Sequence, residues 1–170
     1  NGEIRTAYFD ETFRQSEDIE CWLRMALTTS WKCEGIKQAL SYYRVNSGGL
    51  SANLSKQYES WERAIQNNLP GNIAFFQQWL PLATAYQKRY LARRATQSGN
   101  ACDALKLITE AIKLDYRILT QEPVKTSITL GCALLCALPG NIYQNMERAA
   151  RNYAGRRCIA SAKVTTGIQR

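Results

Sequence analysis

Hydrophobic and polar residues follow a helical period along most of the chain, beginning just after Ser16. Four apolar residues then share one face of the predicted helix: Ile19, Trp22, Leu23 and Ala26. Ser16 can cap this helix, and the acidic residues of its first turn suit the positive end of the helix dipole. Trp22 is expected to anchor a core, and Glu20 and Arg24 are expected to pair on the opposite face.

The pattern changes over the next thirty residues and then becomes helical again. Two short runs, 31–36 and 39–45, are rich in β-branched and aromatic residues and predict a small β ribbon. A glycine-serine loop follows at 46–53. Five further helices are predicted at about 55–68, 73–97, 100–119, 123–138 and 141–154. The fold class is therefore mainly α with a small β ribbon, divided into residues 1–54 and an antiparallel helical bundle at 55–170.

The composition excludes several kinds of site. The chain has no histidine, which removes most zinc sites, the imidazole-dependent triads and the usual general base. Its six cysteines form no C-x-x-C pair and are interpreted as reduced thiols of a cytoplasmic protein. Cys21 and Cys33 could be bridged in an oxidising compartment. The most apolar run, 128–139, is too short to span a bilayer.

Charge is distributed unevenly along the chain. Residues 1–62 carry 7 Lys or Arg and 9 Asp or Glu, whereas residues 63–170 carry 15 and 5, a net charge of +10. This basic part is expected to rest on an anionic membrane surface. Nucleic acid is the weaker alternative, because the basic residues are spread over several helices without an aromatic-interleaved sheet or a recognisable reading helix.

The residues between 9 and 54 form an ordered set. "FDETFRQSEDIECWLRMA" is followed by a short predicted strand and then by "ALSYYRVNSGGLSANL". This order resembles the second half of the catalytic domain of family 2 glycosyltransferases, which have the GT-A fold. The resemblance implies that residues 1–54 are the carboxy-terminal, acceptor-side fragment of a GT-A α/β domain, followed by the helical bundle.

The resemblance implies an inverting transfer of a sugar from a nucleotide-sugar donor to a hydroxyl acceptor. Asp18 would be the catalytic base, since a sugar hydroxyl is a poor nucleophile and the chain has no histidine. Glu17 would hold the acceptor or nearby loops. Arg24 is expected to pair with Glu20, and a contact with the donor diphosphate is its less favoured role. Arg44 would lie close to the donor phosphates, with a position flanking a strand end as the alternative. Ser51 lies in the matching serine-bearing loop.

The departures from the family pattern are as informative as the matches. Val45 and Asn46 follow Arg44 where the family usually places a histidine, and the processive signature is missing, which favours single addition. The family's Asp-x-Asp, which holds Mg²⁺ or Mn²⁺ on the donor, is also missing, so the resemblance implies that the ion binds to another part of the enzyme and that this fragment alone is inactive. The alternative function is a tetratricopeptide-like, all-helical protein-interaction module without catalysis, which explains residues 73–157 but not the ordered acids.

Overall fold

The structure is a computed structural model that describes residues 9–36 and 53–139, with helical positions at 142–143, 145–146, 148–150 and 152. Residues 9–36 and 53–139 contain six helices: α1 Glu17–Thr28, α2 Leu54–Asn68, α3 Ile73–Gln97, α4 Ala101–Leu114, α5 Arg117–Gln121 and α6 Pro123–Cys136. No helix in the described part of the chain combines the length and the apolar character needed to cross a bilayer.

Local signals set most of the helix boundaries. The side chain of Asn53 accepts a hydrogen bond from the Lys56 amide at 3.0 Å and caps α2, and Asn100 caps α4 in the same way through the Asp103 amide. Gly71 and Gly99 lie in the turns that follow α2 and α3. Both have φ near +80°, a conformation that glycine adopts without strain. The predicted helices at 55–68 and 73–97 are confirmed, with α2 beginning one residue earlier than predicted.

The predicted helix at 100–119 is interrupted. Asp115 is extended, and its carboxylate accepts hydrogen bonds from the Arg117 amide at 2.9 Å and from the Arg117 guanidinium. An aspartate that binds nearby backbone amides competes with helix continuation, so α4 ends at Leu114 and the short α5 begins at Arg117.

Small residues bring α3, α4 and α6 together. Five side chains of this cluster are fully buried: Ala92, Ala95, Ala104, Ile108 and Ala133. Alanine lets helix backbones approach closely, and Ile108 fills the space between them. A second cluster of Trp61, Ile65 and Phe76 receives Leu23 and Leu27, so that α1 packs against α2 and the start of α3.

The prediction of a β ribbon within a GT-A α/β fragment is wrong for the described residues, which contain helices and loops but no strand. Residues 31–36 pair with no neighbouring strand, and Trp31 and Ile36 are 73% and 66% exposed. A strand needs a partner for its backbone groups, and the partner predicted at 39–45 lies outside the described residues. The coarser prediction of a mainly α protein is confirmed.

Helix α1 is also rotated from its predicted orientation. Trp22 is 56% exposed, and the expectation that it anchors a core is wrong. Glu20 is buried, although it was predicted on the face away from the core. Leu23 and Leu27 contact α2 and α3 from the same side of the helix. Residues 20, 23 and 27 have the same helical spacing as 19, 22 and 26, so periodicity alone does not distinguish the two faces.

Candidate active site at the start of α1

The loop before α1 has a defined local structure. Asp10 accepts hydrogen bonds from the Thr12 hydroxyl at 2.6 Å and the Thr12 amide at 2.9 Å, and the Phe13 amide donates to the Asp10 carbonyl. The hydrogen bond from the Thr12 hydroxyl is the main cause that holds the pKa of Asp10 below its usual value. Asp10 and Thr12 therefore form an Asx turn at the beginning of the loop that leads to α1.

This loop is attached to α2 by four contacts. The Arg63 guanidinium donates to the Thr12 hydroxyl at 2.7 Å and to the Thr12 carbonyl at 3.2 Å. The same guanidinium lies 4.5 Å from the ring centroid of the buried Phe13. The Ser60 hydroxyl donates to the Gln15 carbonyl. These contacts fix the path of the chain into α1 relative to α2.

Asp18 is the second residue of α1 and is partly buried. Its carboxylate accepts a hydrogen bond from the Ile19 amide at 2.8 Å. Among the described residues it forms no ion pair with a basic side chain.

The other predicted site residues are not all gathered around Asp18. Glu17 is exposed at the first position of α1. Arg24 pairs with Glu20 at 2.9 Å, as one of the two alternatives predicted, and Glu20 raises the pKa of Arg24 by this hydrogen bond. Arg44 and Ser51 lie outside the described residues.

A groove of 600 Å³ between the loop and α2 was not predicted from the sequence. Arg14, Lys56 and Arg63 line it together with one acid, Glu59, so the groove is basic. Lys56 and Arg63 are seven residues apart, a spacing that places them on one face of α2 and that could have been recognised in the sequence. The contribution of Arg14 depends on how the loop docks.

The described residues do not provide a site for Mg²⁺ or Mn²⁺. They contain no group of three or more His, Cys, Asp or Glu side chains that could hold a metal ion. Two acids of the segment 9–20 are engaged elsewhere, Asp10 by Thr12 and Glu20 by Arg24. No disulfide joins the five described cysteines between Cys21 and Cys136.

The chain matches no family model, no curated protein and no solved structure.

Proposed function

We propose that this chain supplies the acceptor side of an inverting glycosyltransferase, which moves a sugar from a nucleotide-sugar donor to a hydroxyl acceptor. The observation that carries the proposal is Asp18, a half-buried carboxylate in the first turn of α1 without a basic partner in the described residues. The ordered residues of 9–54 that resemble family 2 glycosyltransferases support the same function.

In the proposed reaction, Asp18 accepts the proton of the acceptor hydroxyl while that oxygen forms its bond to the anomeric carbon. The bond between the anomeric carbon and the donor diphosphate breaks at the same time, and the nucleoside diphosphate leaves with the electron pair. The contacts of Arg63 and Ser60 with the preceding loop are important because a base must be held within hydrogen-bond reach of the proton that it removes.

The remaining residues take supporting roles in this proposal. Glu17 is exposed and available to bind the acceptor, and Arg44 and Ser51 are proposed substrate contacts. Arg24 neutralises the buried Glu20 of the same helix, α1. The donor and its divalent ion belong to a nucleotide-binding part that these 170 residues do not contain, so the chain alone is expected to be inactive.

The test uses the complete natural polypeptide that carries these residues, with nucleotide sugars, hydroxyl acceptors and Mg²⁺ or Mn²⁺. Asp18→Asn should lower kcat by about 10²- to 10⁴-fold, the usual contribution of a general base, while donor affinity is unchanged. Asp103→Asn is the matched control, because it removes an exposed carboxylate from the first turn of α4. Full turnover by Asp18→Asn would exclude Asp18 as the base. Failure to release a nucleoside diphosphate from any donor would exclude glycosyl transfer.

A protein-interaction module is the second candidate, and two exposed apolar side chains of α1 support it. Ile19 and Trp22 lie three residues apart on α1 and expose 36% and 56% of their surface, which gives a partner an apolar face to contact. Partner binding by two variants distinguishes the two candidate functions. Trp22→Ser should abolish partner binding in an interaction module, whereas Asp18→Asn should leave that binding intact.

A further inference from the structure

A groove between α3 and α6 combines basic, aromatic and apolar side chains. On α3, Tyr86, Tyr90 and Arg93 follow one another at a spacing of three or four residues, so they share a face. On α6, Lys125 and Ile128 line the opposite wall. The groove has a volume of 380 Å³ and adjoins a second cavity of 140 Å³ that Arg93 and Ile128 also line.

The charge of this groove is positive. Arg89 and Lys125 both form ion pairs with Glu122, so two cations share one carboxylate. Arg93 is exposed and has no carboxylate partner among the described residues. Three basic side chains and one acid leave a net charge of +2 at this position, available to an anionic ligand.

Apolar side chains stand beside the basic ones. Val124 and Ile128 lie one turn apart on α6 and are 68% and 60% exposed. Tyr86 and Tyr90 line the groove, and their hydroxyls bond to residues beyond its lining: Tyr86 donates to Gln121 at 2.8 Å, and Tyr90 accepts from Gln57 of α2 at 3.2 Å. Amphipathic tyrosines, exposed aliphatic residues and flanking cations are the combination found in proteins that bind the surface of a bilayer.

We propose that the α3–α6 face, defined as Tyr86, Tyr90, Arg93, Val124, Lys125 and Ile128, binds the surface of an anionic membrane. Arg93 and Lys125 contact lipid phosphates, and Val124 and Ile128 enter the boundary between headgroups and acyl chains. Nucleic acid would use the cations but would gain little from two exposed aliphatic side chains. This proposal does not depend on glycosyl transfer, because it concerns helices outside the candidate active site.

The test measures co-sedimentation of the full chain with vesicles of phosphatidylcholine, either alone or mixed with phosphatidylglycerol, at low and high salt. The chain should bind the anionic vesicles and should be released by salt. The variant R93Q/K125Q should weaken that binding about 30-fold, which corresponds to about 1 kcal/mol for each basic residue. The matched control K106Q/K113Q removes the same charge from exposed positions of α4 and should retain most of the binding.

A third variant separates a membrane from nucleic acid. V124S/I128S keeps every charge and should still weaken vesicle binding, with circular dichroism confirming that each variant is folded. Equal binding to both kinds of vesicle would overturn the proposal. Equal losses in R93Q/K125Q and K106Q/K113Q would also overturn it, as would binding that R93Q/K125Q leaves intact. An oligonucleotide complex that R93Q/K125Q abolishes and V124S/I128S preserves, without vesicle binding, would assign the face to nucleic acid instead.

Discussion

At the scale of single residues, two isoleucines show that position rather than residue type decides how much a side chain contributes to the stability of the fold. Ile108 of α4 is fully buried between alanines of α3 and α6, whereas Ile128 of α6 is 60% exposed. Removing methyl groups from a packed interior loses their transfer free energy and leaves a cavity. Truncating an exposed isoleucine loses little transfer free energy and leaves no cavity in the folded state.

We therefore expect Ile108→Ala to lower the free energy of unfolding by about 2–5 kcal/mol. Ile128→Ala should change it by less than about 0.5 kcal/mol, the usual range for surface substitutions. Urea denaturation followed by circular dichroism measures both. Because the two variants make the same chemical change on neighbouring helices, equal losses of stability would contradict the packing described for α3, α4 and α6.

At the scale of elements, the beginnings of α1 and α4 differ in a way that the sequence does not show. Ser16 and Asn100 are both good capping residues, and each precedes a first turn with an acid. Asn100 accepts a hydrogen bond from the Asp103 amide at 3.2 Å. Ser16 instead has φ of 60° and its side chain caps no amide, so the predicted Ser16 cap is wrong.

Asn100→Ala should therefore cost about 1 kcal/mol of stability, the usual loss when a capping side chain is removed. Ser16→Ala removes no capping hydrogen bond and should cost much less. Ser16→Gly should stabilise the protein, since glycine adopts a left-handed conformation without steric strain. Thermal unfolding of the three variants is the measurement. A Ser16→Ala loss as large as that of Asn100→Ala would show that Ser16 caps α1 after all.

Local sequence determines where the helices begin and end, but it does not determine how they pack. The bounds of α2 and α3 were predictable because Asn53, Gly71 and Gly99 act on their immediate neighbours. The rotation of α1 about its axis was not predictable, since two adjacent faces of the helix carry apolar residues and only packing against α2 distinguishes them. The place of Asp18 in a first turn followed from its neighbours, whereas the attachment of its loop depends on a contact between residues 51 positions apart, Thr12 and Arg63.

At the scale of the whole molecule, three carboxylates join segments of the bundle. Glu110 pairs with Lys88 and connects α4 to α3, while Glu122 pairs with Arg89 and connects the start of α6 to α3. Asp115 pairs with Arg117 at the junction of α4 and α5. Hydrogen bonds from these basic side chains are the main cause that lowers the pKa of each carboxylate.

A carboxylate whose pKa is lower in the folded state than in the unfolded state stabilises the fold above its unfolded pKa, near 4. That stabilisation is lost as the pH falls through the lower, folded pKa. Protonation of all 14 acids also raises the net charge from +8 to +22, and the resulting repulsion acts against a compact state. Without histidine, the chain has no ordinary side chain that titrates near pH 6.5.

We therefore expect the urea midpoint to stay constant from about pH 5.5 to 7.5 and to fall steeply below about pH 4. The variant E110Q/E122Q should lose about 0.5–1 kcal/mol at pH 7, because partly exposed ion pairs contribute little, and it should lose less than the wild type on acidification. Glu62→Gln is the control, as an exposed glutamate without an ion pair in the described residues. If E110Q/E122Q and the wild type showed the same acid dependence, these two pairs would not connect α3 to α4 and α6 in solution.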